Sequence, residues 1–211
     1  MLLLYVAADV INKGGFMNKK IAIILEGPDK VGKTTLLSKI KSDNEAIYLK
    51  FPDRDDEFVK EALSDDSEFD ERLRQHVIAN NCFRQLLQLI DLKVENNVYL
   101  FDRFPSISSK VYFNHGEVPH VTAISHDILF KVLKFDEVHL IILAPTEPLL
   151  AADEREFYEK DWNEIRDRYA SFTALDVKKL YNMTLHKFTD EPLTAIFEAS
   201  YVIENLLKEN K

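Results

Sequence analysis

The sequence predicts an α/β fold, a mostly parallel sheet of about five strands flanked by helices on both faces. Short apolar runs rich in β-branched and aromatic residues recur at Ile21–Leu25, Ala46–Phe51, Val98–Phe101, Glu137–Ala144 and Leu180–Phe188. Helical apolar spacing falls between them. The first run breaks into the glycine-bearing loop GPDKVGKTT, which opens a helix. A chain of 211 residues suits one such domain.

Residues 1–16 stand apart from this pattern. MLLLYVAADV has the apolar character of a signal h-region but no basic n-region and no small-residue cleavage site. Glycine codons all begin GG, so Lys13-Gly14-Gly15-Phe16-Met17 back-translates to a purine-rich GGAGG just upstream of an ATG. That is a bacterial-type ribosome-binding site read through as protein. The expectation is that Met17 is the biological start, residues 1–16 are a non-native leader, and 17–211 form the single domain. An intact mass retaining Met1 would refute it.

Ile21, Ile23 and Ile24 mark a buried strand. Gly27 to Thr34 then fits G-x-x-x-x-G-K-[ST] at every fixed position. The two glycines, Gly27 and Gly32, let backbone N–H groups turn inward around phosphate oxygens. Lys33 would reach the terminal phosphates and the Thr34 hydroxyl would hold Mg²⁺. Lys30, Val31 and Thr35 complete the expected nucleoside triphosphate-binding set.

Ala46–Phe51 reads as the second strand, ended by Pro52 and the charged turn Asp53–Glu57. Glu68–Glu95 carries apolar residues at helical spacing and is the longest expected helix, broken by Asn96-Asn97. Val98–Phe101 is a short buried strand delivering Asp102-Arg103-Phe104 at its C-terminal end, the edge where open α/β sheets bind ligands. A helix follows from Pro105, then a loop at Gly116–Pro119, a helix at His126–Lys134 and the strand Glu137–Ala144. Pro145–Leu150 starts a helix interrupted by the charged cluster Asp153–Glu156. Trp162–Phe172 is an amphipathic helix, Leu180–Phe188 the last strand and Glu191–Lys208 the closing helix.

Composition excludes several function classes. There are 27 Lys and Arg against 36 acids, a formal net charge of −9, so the surface does not match a long nucleic-acid polyanion. The single cysteine, Cys82, rules out an intrachain disulfide and a cysteine-rich zinc site, and fits a reducing, cytoplasmic compartment. No apolar run approaches the roughly 20 residues of a membrane span. The histidines, including His115, His120 and His126, form no metal-ligand pattern.

Phosphoryl transfer requires in-line positioning and cations around a group whose charge sits on its equatorial oxygens. Arg103, projecting from a strand end beside the loop, can bridge donor and acceptor phosphates with its planar fork; a surface salt bridge is the alternative. Asp102 is the candidate magnesium acid, or else an ion-pair partner of Arg103 or Lys33.

Three segments carry a family resemblance: GPDKVGKTT with Asp29 between its glycines, FPDR at Phe51–Arg54, and DRF at Asp102–Phe104. From Lys20 to the C-terminus the chain resembles the thymidylate kinases, P-loop enzymes that move the γ-phosphate of ATP onto a deoxynucleoside 5′-monophosphate. The resemblance implies a three-layer P-loop nucleoside-kinase fold, ATP with Mg²⁺, small-molecule nucleotide substrates and a homodimer through the long helix. The apolar stripe of that helix is equally explained by core packing. By the same resemblance Arg54, after the Phe51-Pro52 pair, would grip the acceptor phosphate, and Asp29 would orient the acceptor through its 3′-hydroxyl or through Arg54. An exposed loop arginine is the alternative for Arg54. Arg155 lies in EREFYE, which looks like a short lid over the donor phosphates at about residues 151–159; a solvated charge cluster is the other reading. Lys30 with a short lid resembles the eukaryotic and poxvirus type, so Lys30 and Arg155 would share the work of a transition-state cation.

The family's base-reading pattern is altered. Ala79 falls where a stacking aromatic is expected, Phe83 and Arg84 compete for the following arginine, and the serine and tyrosine after DRF come one place late, as Ser108 and Tyr112. One place rotates a helical residue by about 100°. Asn80, Asn81 and Arg84 offer donors that can read base edges, or they pack in the helix seam. Phe51, Asn80, Arg84 and Tyr112, with Asp29, Arg54 and Arg103, are the expected acceptor-binding residues. The expected activity is a nucleoside monophosphate kinase for thymidylate or a related or modified pyrimidine deoxynucleotide. One alternative is a kinase for a 5′-hydroxyl of a nucleoside or oligonucleotide, with Asp29 or Asp102 as base. Another is a degenerate nucleotide-binding module. Thr189-Asp190-Glu191 lies where the family contacts adenine, and nothing there selects ATP from GTP.

Overall fold

The computed structural model describes residues 19–64, 66–91, 98–112, 130–149, 157–174 and 183–210. Five strands, β1 (Ile21–Glu26), β2 (Ile47–Lys50), β3 (Val98–Asp102), β4 (Glu137–Leu143) and β5 (Thr184–Phe188), form one sheet in the order β2-β3-β1-β4-β5. Every pairing is parallel. β1 is central and buried at all six positions, which is why it reads as an unbroken apolar run rather than an alternation. The chain passes from β1 to β2 and then β3 on one side, and β4 and β5 follow on the other. The loop after β1 therefore sits at the crevice where the winding reverses.

Among the described residues the helices are α1 (Lys33–Asp43), α2 (Glu57–Ala62), α3 (Glu71–Asp91), α4 (Pro105–Tyr112), α5 (Phe157–Ser171) and α6 (Pro192–Glu209). α1 and α6 pack Leu37, Ile40, Ala195, Ala199 and Ile203 over Ile23, Leu25, Leu100 and Ile141. On the opposite face Cys82 and Leu86 of α3, Ile107 and Val111 of α4 and Tyr169 of α5 cover Ala22, Ile24, Phe101 and Leu140. Small residues at Ala195 and Ala199 let α6 lie close on the sheet. The result is the expected three layers.

The structure corrects several element boundaries. The charged turn after β2 continues into α2, because the Asp56 carboxylate accepts from the N–H groups of Phe58 and Val59 and caps a new helix. The long helix starts at Glu71, where Asp70 accepts from the N–H of Leu73 at 2.7 Å. Pro145–Leu149 is not helical. Its N–H groups are used across the fold instead: Thr146 donates to the Asp190 carbonyl (3.2 Å) and Leu149 to that of Lys30 (3.0 Å). Of the helix expected at His126–Lys134, Phe130–Val132 are helical and 126–129 lie outside the described residues. The leader, Arg155 and most of the expected lid, and His115 and His120 also lie outside them. No helix among the described residues is long and apolar enough to cross a membrane.

Candidate active site

The loop between β1 and α1 is shaped by positions where ordinary side chains are strained or do not fit. Gly27 has φ 147°, and a Cβ there would lie 2.1 Å from the Leu143 carbonyl oxygen on β4. Gly32 (φ 83°) caps α1, and Lys30 adopts a left-handed φ of 63°. Two contacts fix the loop from outside. The Trp162 indole N–H donates to the Asp29 carbonyl at 2.9 Å, and the Leu149 N–H donates to that of Lys30. Val31 is buried in the core, so its contribution to the loop is its backbone.

Lys33 opens α1 with its ammonium bonded to the Pro28 carbonyl across the loop, at 2.5 Å. Burial, and then the Arg103 guanidinium, push that ammonium down to about 7. A phosphate arriving at the N-terminus of α1 would meet the helix dipole and a lysine whose charge it restores.

Thr34 and Asp102 meet because β3 lies beside β1 with Leu25 in register with Asp102. The Thr34 hydroxyl donates to Asp102 Oδ2 at 2.6 Å, and the carboxylate is 2% exposed. A hydroxyl and a carboxylate are hard oxygen donors that fit a magnesium-like cation. No group of three or more His, Cys, Asp or Glu able to hold a metal occurs among the described residues. Such an ion would therefore take most of its ligands from phosphates and water.

Arg103 follows in a strained conformation (φ 76°), its N–H donating to the Leu25 carbonyl at 3.0 Å. Its guanidinium is caged. Nη2 donates to Asp29 Oδ1 (2.6 Å) and to the Tyr112 hydroxyl (2.9 Å), and Nη1 donates to the Tyr169 hydroxyl (3.1 Å). The Tyr169 hydroxyl in turn donates to Glu26 Oε2 at 2.7 Å. Glu26 Oε1 accepts from the Phe104 N–H (2.6 Å) and from Ser108 Oγ (3.0 Å). Fully buried, Glu26 is pushed up by desolvation despite Arg103 and these donors. Burial opposes the Arg103 charge, but the surrounding Tyr112, Tyr169, Asp29 and Glu26 outweigh it and hold the guanidinium charged. Burial also pushes Asp29 up, yet Arg103, Lys33 and Arg54 together hold its carboxyl below the ordinary range.

The structure thus brings Asp29, Lys33, Thr34, Asp102, Arg103 and Tyr112 together, with Arg54 close enough to bear on Asp29. Other expected residues lie elsewhere. Phe51 is buried and stacks on Phe101 (centroids 5.9 Å apart), so it sets the path of the FPDR turn from within the core. Arg84 is paired with Asp56 and Asn80 is exposed; neither joins the cluster on the loop. Asn81, buried on the same helix, accepts from the Asp53 N–H (2.9 Å) and so holds the turn that carries Arg54. The late Ser108 and Tyr112 stand four apart on one face of α4, the face that meets Glu26 and Arg103.

Glu26, Tyr48, Trp162 and Tyr169 were not singled out from the sequence. Only Glu26 left a signal there, as an acid closing an otherwise apolar strand directly before the loop.

No family model matches the chain, and no curated protein matches it by sequence. Solved structures do. The thymidylate kinase of Candida albicans matches with a TM-score of 0.61 at 18% identity, over 92% of this chain and 94% of that one. The thymidylate kinase of Ehrlichia chaffeensis matches with a TM-score of 0.57 at 18% identity, over 87% and 98%. With its five parallel strands, its flanking helices and its loop at the switch point, the chain has the P-loop α/β fold of the thymidylate kinases.

Proposed function

We propose that the protein transfers the γ-phosphate of ATP to a deoxynucleoside 5′-monophosphate, thymidylate or a related or modified pyrimidine, giving the diphosphate. The observation that carries this is the convergence of Lys33, the Thr34–Asp102 pair and the caged Arg103 at the ends of adjacent strands β1 and β3. The likeness to two thymidylate kinases supports it, and one of these is described by the origin of its broad substrate specificity.

The residues divide the work. Loop N–H groups and Lys33 hold the donor phosphates, and Thr34 with Asp102 would hold Mg²⁺, which would supply charge neutralisation on those phosphates. Arg103 faces donor and acceptor together, and Arg54 grips the acceptor phosphate. Lys30 and Arg155 add cations over the transferring group. The paired, low-pKa Asp29 is a poor general base, which favours a monophosphate acceptor over a 5′-hydroxyl.

We further propose a cytoplasmic homodimer. Phe58 and Leu63 beside α3, and Leu73 and Leu87 on it, are exposed apolar residues on one helical layer, which supports this.

The test is a coupled ADP-release assay over natural and modified nucleoside monophosphates, nucleosides and 5′-hydroxyl oligonucleotides. Activity with a pyrimidine deoxynucleotide, abolished by Arg54→Ala, is expected. Unchanged activity in that variant, or activity confined to 5′-hydroxyls, would reject the proposal.

A further inference from the structure

Tyr48 lies on edge strand β2 with its backbone opposite Leu100, yet its hydroxyl reaches along β3 to Asp102 Oδ2 at 3.1 Å. The Thr34 hydroxyl donates to that same oxygen at 2.6 Å. A single carboxylate oxygen, 2% exposed as a residue, therefore receives two hydroxyl donors from two different elements, α1 and β2. The Lys41 ammonium lies over the Tyr48 ring, 5.6 Å from its centroid.

We propose that Tyr48 is a positioning residue for the metal site, holding the Asp102 carboxylate in the orientation in which it and Thr34 support a divalent cation. The inference rests on the proposed phosphotransferase reading. Asp102 has a competing partner. Lys33 is buried nearby, and Asp102 acts on its charge. A carboxylate free to turn toward that ammonium would be lost to the metal. Two hydroxyl hydrogen bonds to Oδ2 keep Asp102 on the Thr34 side, because a donor to a buried carboxylate restricts its rotation and satisfies its lone pairs without adding charge.

Tyr48→Phe removes one oxygen and keeps the packed ring. Mn²⁺ binding to the protein–ATP complex is read from the free-ion electron paramagnetic resonance signal, and ATP binding without metal is read by calorimetry in EDTA. The variant should bind Mn²⁺ about tenfold more weakly, with metal-free ATP affinity unchanged. In an Asp102→Asn background the same change should have no further effect on Mn²⁺ binding. Equal Mn²⁺ affinity of wild type and variant would overturn the assignment, as would an equal loss in the presence and absence of metal, which marks a structural role only. Failure of the wild type itself to bind Mn²⁺–ATP would overturn the phosphotransferase reading and this inference with it.

Discussion

Arg103 Nη2 lies 2.6 Å from Asp29 Oδ1, so the turn that ends β3 is fastened to the middle of the phosphate-binding loop. The arginine is 12% exposed and the aspartate 39%, which places this ion pair at the mouth of a buried cage. Asp29→Asn keeps the shape and removes the charge. It should reduce kcat/KM for the monophosphate acceptor by about a hundredfold and cost about 1–2 kcal/mol of stability. Steady-state kinetics at saturating ATP and urea unfolding check both. An unaltered acceptor KM and kcat would show that the contact only braces the loop.

The Tyr169 hydroxyl is the bridge between Arg103 and Glu26. Tyr169→Phe leaves a buried carboxylate short of one donor and the guanidinium short of one acceptor, so stability should fall by about 1–3 kcal/mol. Turnover should drop about tenfold, as expected for misplacing a transition-state cation, while KM for ATP stays the same. A loss confined to KM for ATP would contradict this placement.

Lys33 has a folded-state pKa near 7, against an ordinary value of 10.5. Between these values the folded protein binds fewer protons than the unfolded chain, so this group's contribution makes stability rise with pH through that window. Bound phosphate restores the charge. ATP binding at pH 8 should therefore take up a proton, seen by calorimetry in two buffers of different ionisation enthalpy, and Lys33→Met should abolish that uptake.

Gly27→Ala places a Cβ 2.1 Å from the Leu143 carbonyl at φ 147°. Backbone strain and overlap with a central strand should cost roughly 3 kcal/mol or more and remove nucleotide binding. Thermal melts with and without ATP check this; a normal melt with a normal ATP-induced shift would contradict it.

Leu73→Glu combined with Leu87→Glu introduces charge on the exposed apolar side of α3. If that side joins two copies, sedimentation velocity should change from dimer to monomer with the melting temperature of the monomer preserved. A wild type that sediments as a monomer at micromolar concentration would refute the dimer.

The fold was legible because its signals are local. β1 is apolar at each position and the loop after it needs its two glycines, so strand, loop and helix declare themselves in sequence. α2 was not legible, since its start depends on Asp56 turning its carboxylate back onto two N–H groups, and a charged run reads equally as a turn. Thr34, Asp102 and Arg103 were readable from motif and strand end. The Arg103 cage was not. Tyr169 belongs to a helix 66 residues further along and looks there like an ordinary apolar-face residue. Tyr48 looked like one more aromatic in a strand, because a strand's period says which face a side chain takes and nothing about how far its hydroxyl reaches.

Trp162 is the sole tryptophan of the chain, and its indole is buried with its N–H on the Asp29 carbonyl. The protein thus carries one indole fluorophore, a single hydrogen bond from the loop between β1 and α1. A change in the loop's backbone on nucleotide arrival would alter the polarity at that indole, so a stopped-flow change in tryptophan emission from the unlabelled protein is the expected report of it.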